Sequence, residues 1–553
     1  MSLRNKVVVV LLLVVIVGSS VWFSINLFKE FTEKMPDSGG RYTEALVGQP
    51  NYLNPLLDKL FPNDSAIDKL IYSGLFEYDA KGNLASDLAD KYERNEGGKE
   101  YTVFLKQNVK WHDGEQFDAD DVIFTINLIK NKDYGAVGVD AGLRISFDGV
   151  NLEKIDDFTV KFILEEEQFD FLHSLTVGIL PKHMWSEVNI NNFLLSKLNK
   201  NPIGTGPFEL VKRDEDGDYV SSYTLRSYKN YHKGKPLINK VVFKFYPNRV
   251  SAIEAYNNGE VMSVIATSSE YIASVNEKNT EKKIMISPSY FSIFFNQKKS
   301  VPLAFDEVRK SLSLATNNEE IVKKIFGDIA VPMYSPLMQN SFGYSDKYQQ
   351  NEFNIEEANK LLEEKGWKME DDGIRKKDDA RLEFTLHINS SQSSYVKIAN
   401  ILKDQWKQIG ADVKILEHDK NSLVVDVINP RNFEALLSSH STRFSDPNFL
   451  SLWHSKAEDS GANYAGMKDD ALDKILEDLQ KEINQDKRRE LYEKLQEQIK
   501  SENPAVFLFS SGFAFMHNDR LKGVTAERIN SSKGRYSDVH LWYLKEKYVL
   551  KKK

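Results

Sequence analysis

Three consecutive stretches constrain this fold more than anything else in the chain: "LEFTLHI" (382–388), "SYVKIANILKDQWKQIG" (394–410) and "ADVKI" (411–415). In the middle one Val396, Ile398, Ile401, Leu402, Trp406 and Ile409 recur at helical spacing up to Gly410. The outer two have the β-branched and aromatic content of strands. Strand, helix and strand in that order make a βαβ unit, which requires a parallel pair with a right-handed crossover. The domain that holds it is α/β.

Further strands are expected at "EYTVFLK" (100–106), "FTVKFIL" (158–164) and "KVVFKFY" (240–246). Helices with readable ends lie between them. Asn354 suits an N-cap, with Glu357 as its reciprocal partner and Gly366 as the stop. Segments 469–483 and 486–500 read as consecutive amphipathic helices, lined by Leu472, Ile475, Leu476, Leu479 and Ile483 and then by Leu491, Leu495 and Ile499. Their charges form solvated faces. At 553 residues the chain exceeds one hydrophobic core, so two or three domains are expected.

A net charge of -8 argues against a nucleic-acid partner, which would require a concentrated basic face. Cysteine is absent, which excludes disulfides, thiolate metal sites, cysteine nucleophiles and a lipid thioether. The beginning of the sequence is more specific. Arg4 and Lys6 precede an uncharged run, residues 7–28, whose twenty-two residues would span about 33 Å as a helix, enough to cross a bilayer. The positive excess before it sets residues 1–6 in the cytoplasm and the remainder outside. With no clear cleavage site after Phe28, a retained anchor is expected rather than a removed signal peptide, with 29–40 as linker.

"VKWHDGEQFDADDVIFTINLIK" (109–130) puts His112 and five carboxylates, Asp113, Glu115, Asp118, Asp120 and Asp121, within ten residues. It matches neither the H-E-x-x-H zinc pattern nor the calcium-loop pattern. A turn at "HDGE" followed by a helix capped by Asp118 accounts for it better, with Asp120 and Asp121 at the positive end of the helix dipole. "GTGPF" (204–208) lacks the Lys-Ser/Thr of a phosphate loop, and no nucleophile elbow occurs. No enzyme, metal or cofactor is expected, and an exported α/β chain without a catalytic signature suggests binding.

Several segments, in order, resemble the extracytoplasmic solute-binding proteins of peptide and nickel ABC importers, solute-binding family 5. They are the stretch 85–125 around "WHDGE", "NPIGTGPFELVK", "YKNYHKGKPLINKVVFKF", "AFDEVRKSLSLATNNEEIVKKIF", "EEANKLLEEKGW", "SDPNFLSLW" and "SENPAVFLF". The resemblance implies a two-lobed periplasmic-binding-protein-like α/β fold of type II with an extra inserted subdomain, here preceded by one transmembrane helix. Lobe one would comprise 41–73, 202–281 and 507–543, the insert 74–201, and lobe two 282–506. A monomer is implied that captures a peptide between its lobes and delivers it to an ABC permease with its ATPase subunits. The alternatives are a non-peptide solute, either an anion or a nickel chelate, and a membrane-anchored peptide receptor for signalling.

Family members that bind a peptide by its free amine often carry an aspartate just before the "DP" dipeptide. Here "HSTRFSDPNF" (440–449) puts Arg443 in that place, which would repel an ammonium and attract a carboxylate or phosphate. Arg443 then either pairs with a neighbouring acid and never meets ligand, which is the plainer expectation, or lines the cleft and selects an anionic group. Asp446 could serve an amine, although it more naturally caps the following helix. Tyr290, Phe291 and Asn296 on a cleft strand, Trp453 after "DP", and Asn51 in "NYLNPL" complete the expected ligand-binding set.

Overall fold

The strand Lys240–Tyr246 is apolar on both faces because it lies inside a sheet, parallel to Arg41–Val47 and antiparallel to Tyr219–Ser227. The computed structural model describes residues 28–57, 62–133, 141–168, 170–217, 219–443, 445 and 447–551, together with 18, 22, 23 and 26. Arg41–Val47 takes Ser263–Ala266 as its other parallel neighbour, and Phe208–Asp216 closes the edge. These strands form the sheet of lobe one.

That sheet does not stop at the lobe boundary. Two long antiparallel strands, Thr280–Phe295 and Ala505–Asn518, carry it into lobe two, where Ala435–Ser441, Glu383–Asn389 and Asp412–His418 continue it and the short Ala330–Pro332, paired with Ala505–Asn518, brings the total to eleven strands. Glu383–Asn389 and Asp412–His418 pair in parallel, as the βαβ reading requires, and Ser393–Lys407 crosses over with Ile398, Leu402 and Trp406 buried. The Asn354 side chain caps Ile355–Glu364 by accepting from the Glu357 amide. Asp470–Lys481 buries Leu472, Leu476 and Leu479, but Ile483 is half exposed because the helix ends at Lys481 and Asn484 already caps Gln485–Glu502.

The inserted subdomain is built on a four-stranded antiparallel sheet, Ala89–Arg94, Glu100–Leu105, Thr159–Ile163 and Asn151–Asp156, with Ala119–Lys130 packed on it. Its core is continuous with that of lobe one. Lobe one is completed from the far end of the sequence. Arg535 reaches Glu44 on the strand Arg41–Val47, Nη2 to Oε1 at 2.9 Å, with both side chains essentially inaccessible to water. A buried pair of this kind is tolerable only when its remaining donors and acceptors are bonded, and Tyr42, Ser532 and Tyr536 do this.

Where the two long strands pass between lobes, their register breaks between Ile286 and Tyr290 opposite Gly512 and Ser510. Pro288 falls in the gap and has no amide to donate. Gly512 is required there, since a Cβ would overlap the Met285 carbonyl oxygen. Such a break is where a continuous sheet can flex, and the two crossing strands are termed the hinge strands.

Outside both lobes, Thr32–Asp37 pairs antiparallel with Lys545–Leu550 as a separate two-stranded ribbon. The expected transmembrane helix, residues 7–28, falls almost wholly outside the described residues. Among those described, no helix is long and apolar enough to cross a membrane.

Candidate functional site: the interlobe cleft

The acid-rich stretch 109–130 folds as its turn and cap residues dictate. Asp118 accepts from the Asp120 amide and Asp121 from the Asp118 amide, a closed capping box. Asp121 also receives the Trp111 indole and the Lys182 amide. Burial pushes its carboxyl up. His112 sits against the glycine-rich loop, taking the Gly204 amide on Nδ1 with Nε2 at 3.1 Å from the Gly206 carbonyl. Burial lowers the imidazole to about 4, so it is neutral at pH 7. Gly204 and Gly206 have no phosphate to hold: a Cβ on either would collide with backbone at Ile71. Among the described residues no cluster of three or more His, Asp or Glu could hold a metal ion.

The chemistry available for a ligand lies between the lobes. A cavity of about 640 Å³ is walled by Pro55, Leu56 and Lys533 from lobe one, by Leu143, Ser146, His173, Ser174, Thr176 and Val177 from the insert, and by His440–Arg443, Asn448, Leu450 and Ser451 from lobe two. A second hollow of similar volume lies between the ends of the hinge strands and the 521–528 segment, but neither the insert nor the 440–451 loop contributes to it. The first cavity is the one that all three units build.

Among the described residues its wall is rich in hydroxyls and contains two cations, Arg443 and Lys533, and no carboxylate. Both histidines are neutral. Burial lowers His440 to about 4, and burial followed by the Arg443 charge lowers His173 to about 4, where its Nδ1 lies 2.8 Å from the Tyr78 hydroxyl. Behind the wall, Arg443 Nη1 donates to Asp170 Oδ2 at 2.6 Å. The pair joins lobe two to the insert beside the cavity. Burial alone would raise the Asp170 carboxyl, but the Arg443 charge and hydrogen bond outweigh it and hold the group below the usual carboxylate range.

Of the described residues singled out from the sequence, Arg443 is the one in the cavity wall, and it also pairs with an acid, Asp170, as the plainer of the two expectations holds. Tyr290 and Trp453 are wholly buried in the lobe-two core with Phe294 and Phe507 around them. Phe291 stacks on Phe509 at 4.7 Å, and Asn296 is buried with its amide donating to the Arg431 carbonyl. These four side chains pack inward in place of the expected aromatic and amide surface: Tyr290 and Phe291 from the strand Thr280–Phe295, Asn296 just beyond its end, and Trp453 from the short helix Leu450–Trp453. Asn51 is exposed beside Gln49, away from the cavity wall. Asp446 lies outside the described residues. Sequence reasoning missed Asp170, His173, His440 and Lys533. They come from separate stretches that no spacing pattern links.

With this geometry in hand, comparison with known proteins is informative. The model of the bacterial extracellular solute-binding proteins, family 5 middle region, matches residues 83–461. The oligopeptide-binding protein AppA of Bacillus subtilis is 30% identical over 489 residues, covering 86% of this chain and 87% of AppA. The structure of AppA in complex with a nonapeptide superposes with a TM-score of 0.72 at 27% identity, over 92% of this chain and all of that one. NikZ of Campylobacter jejuni in complex with Ni(L-His) gives 0.73 at 26% identity, over 91% and 99%.

Proposed function

The chain belongs to the bacterial extracellular solute-binding proteins of family 5, and from that membership we propose that it captures a peptide in the interlobe cleft and delivers it to an ABC importer. No chemistry is done on the ligand. The observation that carries the reading is the cavity walled by lobe one, lobe two and the insert together, in a chain similar throughout to a protein solved with a bound nonapeptide. A two-lobed protein of this kind binds by closing on its ligand.

Within the cleft, Arg443 and Lys533 receive an anionic group of the ligand, which for a peptide is its carboxylate. Arg443 already gives Nη1 to Asp170, so the carboxylate meets the guanidinium as a fixed positive charge beside that pair. The apolar run 7–28 is a retained anchor that holds the binding domain at the outer face of the membrane. Fusing residues 1–40 to a reporter and finding the reporter in the soluble fraction would sink the anchor.

The ligand itself is best read by native mass spectrometry of the full chain released gently from detergent. A ladder of mixed peptide masses is the expected result. A single non-peptide mass, such as an inorganic or organic anion or a nickel chelate, would overturn peptide capture while leaving the fold intact. Stimulation of a purified permease's ATPase by the loaded protein separates import from a receptor role.

A further inference from the structure

The two-stranded ribbon outside the lobes is an unusual object to leave in water. Each strand has six residues, almost all of them exposed, and an isolated two-stranded ribbon is marginal in stability. One face carries Tyr548 and Leu550, 55% and 76% exposed, with Phe28 packed edge-on against the Tyr548 ring at 4.9 Å. Lys34 on the same face lies 5.9 Å from that ring's centre and pairs with Glu546. The register sets Thr32 opposite Leu550, and the Lys551 amide donates to the Phe31 carbonyl. Residue 551 is thus fixed beside the exit of the apolar run 7–28.

Charge at that end is lopsided. Residues 545–553 hold five lysines and one glutamate in a chain whose net charge is -8. Lys547 is matched by Asp37 and Lys34 by Glu546, both toward the middle or the far end of the ribbon. The lysines at 551, 552 and 553 have no acidic residue next to them in sequence. Apolar and aromatic side chains with clustered lysines, locked to the end of a membrane-length apolar segment, are the composition of an interfacial element. We propose that the ribbon seats on the outer surface of the bilayer, Phe28, Tyr548 and Leu550 entering the headgroup layer and the 551–553 lysines meeting anionic lipid.

This rests on the reading that 7–28 is a retained anchor, and the test separates the two. The absence of native cysteine makes single spin labels clean. Leu550→Cys and, as a water-exposed control on the insert, Leu195→Cys would be labelled on the full chain in nanodiscs, with depth read by oxygen and nickel-chelate collisions. In phosphatidylglycerol discs, position 550 should be shielded from the chelate and reached by oxygen, while position 195 behaves as in water. Changing Lys551, Lys552 and Lys553 to Glu should shift position 550 toward water, the docked population falling by about five-fold for each lysine lost. Phosphatidylcholine discs should resemble that variant. A chain retained on the disc with position 550 open to water in anionic lipid overturns the seated ribbon alone, as does indifference to the charge reversal. A chain that leaves the disc overturns the anchor and the ribbon together.

Discussion

Replacing Asp170 by Ala tests whether the insert and lobe two are held together by the Arg443 pair. The bond is charge-assisted at 2.6 Å, and the side chains are only 29% and 21% exposed. A hydrogen bond to a charged group in such surroundings contributes about 1.5–3 kcal/mol, and we take about 1–2 kcal/mol here to allow for residual solvent. Its loss should shift the lobes toward the open arrangement by about 5–30-fold. Paired labels on Leu195→Cys in the insert and Val425→Cys in lobe two, both strongly exposed, report the distance distribution by pulsed electron resonance. Arg443→Ala should produce a similar shift, and the double variant no more than either single one, so a coupling of at least about 1 kcal/mol is expected from the cycle. The pH dependence has a definite sign. Because the folded Asp170 carboxyl titrates below its ordinary value, the contact is intact above the ordinary carboxylate range and lost as pH falls through the depressed value. Distance distributions of the two single variants that match the wild type, or a coupling within about 0.3 kcal/mol of zero, would refute the latch.

Beyond the loss common to both forms from opening the lobes, Arg443→Ala should weaken binding of a peptide with a free carboxylate by about 10–150-fold more than that of its amidated form in calorimetric titrations. Equal losses for both forms would remove carboxylate recognition. Glu44→Ala leaves Arg535 buried without its carboxylate and should cost about 3–5 kcal/mol in urea denaturation, whereas a change below about 1 kcal/mol would show the pair to be dispensable. Gly512→Ala forces a Cβ onto the Met285 carbonyl at the hinge and should destabilise by about 2–4 kcal/mol, read as a lowered thermal midpoint. An unchanged midpoint would mean that the hinge backbone yields freely.

The parts of the fold legible in the sequence are those with local signals. The stripe from Val396 to Ile409 between two strand-like runs specified a parallel pair, and Asp118 announced its helix by cap chemistry alone. Long-range pairing was not legible, because nothing local says that Arg41–Val47 lies between Lys240–Tyr246 and Ser263–Ala266. The family resemblance supplied the two-lobed arrangement. For the site, Arg443 was visible as a departure at a motif position. Its partner Asp170 lies 273 residues away and was not. Tyr290 and Trp453 show the opposite failure: aromatic type suits a cleft and a core equally, and only the surrounding strands and helices decide.

The Arg535–Glu44 pair also has a consequence in time. The strand Arg41–Val47 is among the first parts of the binding domain to be synthesised, yet its buried carboxylate is not neutralised until residue 535 arrives. A chain crossing the membrane from its beginning therefore carries lobe one as an unfinished sheet for most of its passage. Completion waits on contacts of high sequence separation, which form slowly.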